Sequence, residues 1–120
     1  MSVGLDVLDV ARLERALARR PGLAARLFTE GERAYAATRA RPAIHLAARF
    51  CAKEAVTKAL ALAHFAPLEI EIAGGGDGPP RVVLSGAAAR AAAERGVEVD
   101  VSLTHERTLA AAVAVLRGAR

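Results

Sequence analysis

The sequence predicts an α+β fold, with a mainly antiparallel sheet packed against a long central helix. Three observations indicate this class. The segment 2–8 (SVGLDVL) reads as a strand at the start of the chain. A long helical pattern follows Pro42, and two strand pairs, separated by an alanine-rich helix, occupy the second half. The order strand, helices, hairpin, helix, hairpin favours antiparallel pairing, because a hairpin joins neighbouring antiparallel strands directly.

The helices of the first half are predicted from their periodicity and their end signals. Asp9 is expected to cap a helix over 10–19, and a short helical piece over 23–28 follows an interruption at Pro21 and Gly22.

The central helices begin at two clear signals. Thr29 and Glu32 form a T-x-x-E capping box that should start a helix running to about Arg39. Pro42 then opens the longest helix, predicted over 43–63.

The second half is predicted as strand pairs around one helix. A glycine- and proline-rich stretch, 74–80, reads as the turn of the first pair, and Ser85 is expected to cap a helix that Gly96 closes. The predicted elements are strands 68–73 and 81–84, helix 86–95, and strands 97–103 and 108–117.

The composition indicates one domain, 1–120, with a core of small aliphatic side chains. Hydrophobic residues form 53% of the 120 residues but aromatic residues only 3%. Cys51 is the single cysteine, which excludes an internal disulfide and a cysteine-based zinc site. The sequence shows no signal peptide and no apolar stretch long enough for a membrane, so a cytoplasmic protein without a membrane partner is expected.

The formal net charge of +4 favours an acidic partner, which could be a nucleic acid, a phosphorylated metabolite or an acidic protein surface. A nucleic-acid-binding module is disfavoured by the scarcity of aromatic side chains for stacking and by the lack of a known motif. Arg12, Arg15 and Arg19 lie on one predicted helix face, and Arg26 can extend this patch. A basic docking surface and an ordinary solvated face both explain these arginines.

Two carboxylates stand out because each interrupts an apolar pattern. Glu54 shares a helical stripe with Phe50 and Cys51, although on the helix pattern alone an i,i+4 ion pair with Lys58 is the favoured explanation. Asp6 interrupts an apolar strand, although an aspartate on an edge strand can simply face water. Two hard oxygen ligands would suit Mg²⁺, but spacing alone does not bring these residues together.

Two other segments contain residue types that occur in catalytic or phosphate-binding motifs. Ser102 and His105 lie at a strand end, but no strand-turn-helix elbow surrounds the serine, which disfavours a hydrolase triad. The stretch 74–80 lacks the G-K-[ST] ending of a phosphate-binding loop.

Taken in order along the chain, these segments form a specific set. They are Gly4-Leu5-Asp6 with Asp9, the run 28–32 (FTEGE), the run 48–55 (ARFCAKEA) with Lys58-Ala59, and the run 102–105 (SLTH). The sequence resembles the holo-[acyl-carrier-protein] synthases, the short trimeric class of 4′-phosphopantetheinyl transferases. The resemblance spans nearly the whole chain.

The resemblance implies a 4′-phosphopantetheinyl transferase fold and its activity. Such enzymes transfer 4′-phosphopantetheine from coenzyme A to a serine of an acidic apo acyl carrier protein and release adenosine 3′,5′-bisphosphate. By resemblance, Asp6 and Glu54 are catalytic and coordinate Mg²⁺, and Glu54 or a metal-bound water serves as general base. A homotrimer is expected, with no nucleic-acid partner.

The same resemblance assigns binding residues. The coenzyme A contacts would be Arg49, Lys58, Ser102 and His105. Ser102 and His105 could come from the same subunit or from a neighbouring one. The basic stripe would hold the carrier protein through Arg12, Arg15, Arg19 and Arg26.

One departure from the family pattern follows Leu60. Relatives usually carry a glycine-rich turn there, whereas this chain has no glycine over 61–67, so a longer helix and an altered nucleotide loop are expected. The alternatives are therefore a specialised transferase for a single polyketide or fatty-acid synthase carrier domain, or a degenerate homologue that does not catalyse.

Overall fold

The computed structural model describes residues 2–76 and 78–119, which form five strands and five α-helices. Asp77, part of the predicted 74–80 turn, lies outside the described residues. The strands are β1 (Val3–Asp9), β2 (Ile70–Ala73), β3 (Arg81–Leu84), β4 (Val97–His105) and β5 (Leu109–Gly118). The helices are α1 (Val10–Arg19), α2 (Leu23–Leu27), α3 (Glu30–Ala37), α4 (Pro42–Ala59) and α5 (Gly86–Arg95), and a 3₁₀ turn spans Pro67–Glu69.

The strands form two antiparallel sheets, which confirms the predicted α+β class. One sheet has the order β1-β5-β4, and the other pairs β2 with β3. The two predicted hairpins are therefore β2–β3 and β4–β5. The first strand joins the sheet beside the last, so both ends of the chain contribute to one sheet.

The three-stranded sheet has an inner face that packs on α4 and an outer face that does not. Directly opposed residues of antiparallel strands share a face, so Asp6, Ala112 and Leu103 form one row across the sheet. Ala110, Ala112 and Ala114 are buried on this inner face. Their small side chains let the sheet approach α4 closely.

The closest approach of sheet and helix is at Gly4. A Cβ atom at this position would overlap the Ala55 carbonyl oxygen and lie 2.9 Å from the Ala59 nitrogen. Ala55 and Ala59 are both fully buried in the core. The contact between β1 and α4 therefore requires glycine on the strand and alanines on the helix.

The capping box of α3 is confirmed by two hydrogen bonds. The Glu32 nitrogen donates to Thr29 Oγ1 at 3.2 Å, and the Thr29 nitrogen donates to Glu32 Oε1 at 2.8 Å. This local signal was correct because both partners lie within one helical turn.

The two other predicted caps, at Asp9 and Ser85, are wrong. Neither side chain makes a capping hydrogen bond. Sheet pairing includes Asp9, and the next nitrogen, that of Val10, donates to the Thr108 carbonyl at 2.9 Å. At the start of α5, the Ala88 nitrogen donates to Glu69 Oε1 at 3.2 Å. The Thr108 carbonyl and the Glu69 carboxylate, both distant in sequence, thus accept hydrogen bonds at the starts of these two helices.

The predicted extension of the long helix to residue 63 is also wrong, because α4 ends at Ala59. The Leu62 nitrogen donates to the Thr57 carbonyl at 3.0 Å, and the Ala61 nitrogen donates to the Lys58 carbonyl at 3.1 Å. This pair of bonds is a Schellman motif. Ala61 adopts φ 53°, the left-handed conformation that glycine usually provides, so the helix stops without a glycine.

No helix of the described residues is long and apolar enough to cross a membrane. The cytoplasmic location and the single-domain assignment stay predictions.

We expect Gly4→Ala to destabilise the protein by at least about 2 kcal/mol, because the added Cβ cannot fit between β1 and α4. The free energy of unfolding, measured by urea denaturation, tests this. Gly118→Ala is the matched strand control, since nothing lies within 4 Å of a Cβ there. Equal stability of the two variants would contradict the close contact.

Candidate functional site

The structure brings Asp6, Glu54 and Lys58 together where β1 packs on α4. Lys58 Nζ donates to the Leu5 carbonyl at 2.9 Å and lies 3.3 Å from Asp6 Oδ1. The Asp6 side chain is only 20% exposed, because it lies on the inner face of the sheet. Although β1 is an edge strand, Asp6 does not simply face water, so that alternative is wrong.

The ion pair suggested between Glu54 and Lys58 is also absent from the described residues, where Lys58 pairs with Asp6 instead. Partial burial raises the pKa of Glu54, the nearby Asp6 carboxylate raises it further, and Lys58 partly opposes both effects. Two carboxylates thus lie close together in a partly buried site, where like charges repel each other. A bound cation would relieve this repulsion.

Cys51 lies beneath the carboxylates and does not act as a nucleophile. Burial raises the pKa of this fully buried thiol to about 12, with further contributions from Asp6 and Glu54. The Sγ atom donates to the Ala110 carbonyl at 3.5 Å. The thiol is therefore neutral and lies buried below the two carboxylates.

The carboxylate pair fits a magnesium ion better than a metal that needs a full set of protein ligands. Across residues 2–76 and 78–119 there is no group of three or more His, Cys, Asp or Glu side chains able to hold a metal. Mg²⁺ often binds through one or two carboxylates and takes its remaining ligands from water and substrate phosphates. Asp6 and Glu54 provide that donor set.

Arg49 lies in a second cluster, away from the carboxylates. Its Nη2 atom donates to the Gly74 carbonyl at 2.7 Å, and its guanidinium carbon lies 4.2 Å from the centre of the Tyr35 ring. Burial lowers the pKa of Arg49. Its Nε atom is buried and has no hydrogen-bond partner, so a donor remains available to a ligand.

His45 and His105 extend this cluster. Their ring centres are 5.1 Å apart, and His45 lies 5.8 Å from the Tyr35 ring. Burial lowers the pKa of His45, and His105 and the nearby arginines lower it further. A cavity of about 400 Å³ opens here. Its lining includes Tyr35, His45, Arg49, Pro80, Ser102 and His105.

Sequence reasoning missed Tyr35 and His45. The i,i+4 spacing of His45 and Arg49 could have placed the histidine beside the arginine on α4. No local pattern connects Tyr35, on α3, to either residue.

Ser102 and His105 do not act as a pair. Ser102 is opposite Val113 and His105 is opposite Ala110, so their side chains lie on opposite faces of the sheet. Ser102 borders the cavity at the free edge of β4, while its side chain shares the outer face with Leu5. Both residues nevertheless border the same cavity, and their predicted contact with coenzyme A stays a prediction.

The arginines predicted to bind a carrier protein are all exposed. Arg12, Arg15 and Arg19 lie on α1 and Arg26 on α2. None of the four forms an ion pair with a described residue, whereas Glu14 of the same helix pairs with Arg41 at 2.8 Å. Their positive charge is therefore free to attract an acidic surface.

The outer face of the three-stranded sheet is apolar and exposed along β1, while toward β4 it carries the charged Glu98, Asp100 and Arg117. Leu5 is 65% exposed and Val7 is 61% exposed, which is unusual for side chains of this size in a strand. Val3, Leu109 and Val115 continue the same face.

Comparisons with known proteins agree with this fold. Residues 2–114 match the model of the 4′-phosphopantetheinyl transferase superfamily. A holo-[acyl-carrier-protein] synthase from Moorella thermoacetica is 47% identical over 119 residues, covering 97% of this chain and 93% of that protein.

Two solved structures extend the agreement. An acyl carrier protein synthase from Mycobacterium tuberculosis is 38% identical, with a TM-score of 0.78 over 98% of this chain and 96% of that one. A Chronobacterium ammoniagenes synthase, solved as a coenzyme A complex, is 30% identical, with a TM-score of 0.83 over 99% and 98%. The chain therefore belongs to the 4′-phosphopantetheinyl transferase superfamily, among its holo-[acyl-carrier-protein] synthases.

Proposed function

We propose that this chain transfers 4′-phosphopantetheine from coenzyme A to a serine of an apo acyl carrier protein in a Mg²⁺-dependent reaction. The observation that carries the proposal is the convergence of Asp6, Glu54 and Lys58 where β1 meets α4. The named activity of the relatives and the coenzyme A complex of one of them support the substrate.

Asp6 and Glu54 would hold the magnesium ion through their carboxylate oxygens. When bound, Mg²⁺ would neutralise the negative charge that develops on the phosphate oxygens. Lys58 would contribute a further positive charge, because its ammonium group already lies beside Asp6. Its exposed side chain is free to turn from the Leu5 carbonyl toward a phosphate.

The acceptor serine belongs to the carrier protein, so the enzyme needs a base rather than a nucleophile. The bond from the serine oxygen to phosphorus forms while the phosphoanhydride P–O bond breaks, and adenosine 3′,5′-bisphosphate leaves. Glu54 or a water molecule held by the metal would accept the serine proton, because both would lie where the serine hydroxyl meets the phosphate.

The nucleotide half of coenzyme A would bind in the cavity between α4 and β4. Arg49 would donate its free Nε–H to a phosphate oxygen. His105 and Ser102 line the same opening, and Tyr35 and His45 supply rings on which a base can stack. Ala61 takes the left-handed conformation without glycine, which supports an intact turn after α4.

We also propose that the outer face of the three-stranded sheet contacts other copies of this chain in a homotrimer. Leu5 and Val7 are more than half exposed on this face, and burial between copies would remove them from water. Ser102 shares the face with Leu5, so its hydroxyl would lie near a neighbouring subunit.

The carrier protein would dock on the basic stripe of α1 and α2. Arg12, Arg15, Arg19 and Arg26 are exposed and not neutralised by neighbouring carboxylates of the described chain. Long-range attraction to an acidic carrier would orient it before contact.

We expect Asp6→Ala and Glu54→Ala each to lower the transfer rate by at least about a hundredfold, because each removes a metal ligand. Mass spectrometry of an apo carrier protein incubated with coenzyme A and Mg²⁺ measures the added phosphopantetheine. Chelation of Mg²⁺ should abolish transfer by the unmodified protein.

Glu94→Ala is the matched control, because this glutamate is an exposed residue of α5. Unchanged transfer in both Asp6→Ala and Glu54→Ala would disprove the metal site. Repeating the assay with several apo carrier proteins separates a general synthase from one specialised for a single carrier domain.

We expect Leu5→Glu to convert the trimer to monomers, because a charge on the outer face cannot be buried between copies. Light scattering coupled to size-exclusion chromatography measures the mass in solution. Val83→Glu, an exposed valine of β3 outside this sheet, is the control and should leave the trimer intact. A trimer that survives Leu5→Glu would contradict the proposed interface.

We expect simultaneous Arg12→Glu, Arg15→Glu and Arg19→Glu to raise KM for the carrier protein about tenfold or more while leaving KM for coenzyme A unchanged. Steady-state kinetics at two salt concentrations measure this. Arg81→Glu with Arg90→Glu and Arg95→Glu, at three exposed arginines outside the stripe, changes the net charge equally and is the control. If carrier KM is the same in the triple variant and the control, the stripe is only a solvated face.

A further inference from the structure

A fully buried ion pair lies next to the proposed catalytic glutamate. Lys53 immediately precedes Glu54, and its Nζ atom lies 2.8 Å from Glu32 Oε1. The exposed fraction of both side chains is 0%. Buried lysines and glutamates are rare unless they are paired, so this position has a specific cause.

The lysine uses all of its hydrogen-bonding capacity inside the protein. Besides Glu32, Nζ donates to the Pro67 carbonyl at 2.6 Å and to the Ile70 carbonyl at 2.7 Å. An ammonium group has three donors, and each of them has a partner here. Lys53 is therefore not available to bind a phosphate, unlike the exposed Lys58.

The glutamate joins the start of α3 and strand β2 to this lysine. Its Oε1 accepts from the Thr29 nitrogen, and its Oε2 accepts from the Ile72 nitrogen, both at 2.8 Å. The pair thus connects α4 to the start of α3, to the 3₁₀ turn and to β2. Any rotation of α4 about its axis would break several of these bonds together.

Stability alone does not explain the charges. Removing two ions from water is costly, and apolar side chains of similar volume often stabilise a core as well as a buried ion pair does. Ions with fixed hydrogen-bond directions instead favour one arrangement over its near neighbours. The arrangement favoured here fixes the helix that carries Glu54.

We propose that Glu32 and Lys53 are positioning residues, which set the rotation of α4 so that Glu54 faces Asp6 and the two carboxylates can share one metal ion. Adjacent residues of a helix point about 100° apart, so fixing Lys53 toward β2 fixes the direction of Glu54. This inference rests on the proposed metal-dependent function. It adds which residues hold the two metal ligands in the required orientation.

The test removes both charges and measures metal binding rather than only turnover. The variant Glu32→Gln with Lys53→Met keeps the approximate size of both side chains. Mn²⁺, which takes similar oxygen ligands, is titrated into the protein with coenzyme A but no carrier, and free Mn²⁺ is counted by electron paramagnetic resonance. Thermal unfolding is recorded in parallel.

We expect the variant to unfold cooperatively yet to bind Mn²⁺ about tenfold or more weakly, the usual effect of losing a group that orients metal ligands. Glu94→Gln with Arg90→Met is the matched control, because it removes one negative and one positive charge from exposed positions of α5, outside the three-stranded sheet. The control should bind Mn²⁺ as the unmodified protein does.

A folded double variant whose Mn²⁺ affinity stays within about twofold of the unmodified protein would overturn the positioning role. If the double variant shows no cooperative unfolding, Glu32→Gln alone replaces it, and the same two outcomes apply. Failure of the proposed function is distinguishable, because the unmodified protein itself would then show no Mg²⁺-dependent transfer, or Glu54→Ala would transfer normally.

Discussion

The close contact between β1 and α4 is the constraint on which the rest of the structure depends. The strand approaches so closely at Gly4 that no Cβ atom fits, and Ala55 and Ala59 provide the matching surface of the helix. Asp6 follows two residues later on the same face of the strand. The packing that leaves no room for a side chain at Gly4 therefore also directs the Asp6 carboxylate toward α4. An alanine-rich core is thus what lets a strand aspartate and a helix glutamate interact.

α4 carries two groups of functional side chains with different electrostatic character. Glu54 and Lys58 face Asp6, whereas Arg49 stacks on Tyr35 beside the two histidines. Positions 49 and 54 lie about 140° apart around a helix. A ligand with several phosphates could contact both groups of one chain only by crossing the helix.

Sequence reasoning predicted most elements because their signals are local. The capping box at Thr29 and Glu32 was correct for this reason, while the caps assigned to Asp9 and Ser85 were wrong because Thr108 and Glu69 take those roles from elsewhere in the chain. Periodicity can report which residues share a face of one element, but it cannot report which elements meet.

The site was predictable to a similar extent. Asp6 and Glu54 were each noticeable as a charge in an apolar pattern, but they lie in different elements, and only the resemblance to a known family joined them. The Lys53–Glu32 pair was not predicted at all, because a lysine beside an apolar stripe reads as an exposed charge until its buried partner is known.

The turn after α4 shows that a backbone angle can be kept while its usual residue is lost. Ala61 has the left-handed φ of 53° at the position where glycine is expected, at a conformational cost of about 1 kcal/mol. A search that recognised such enzymes by the letters of that turn would discard this chain, although its helix stops in the ordinary Schellman geometry. At this helix end, the hydrogen bonds and the dihedral angle define the turn, and the amino acid does not.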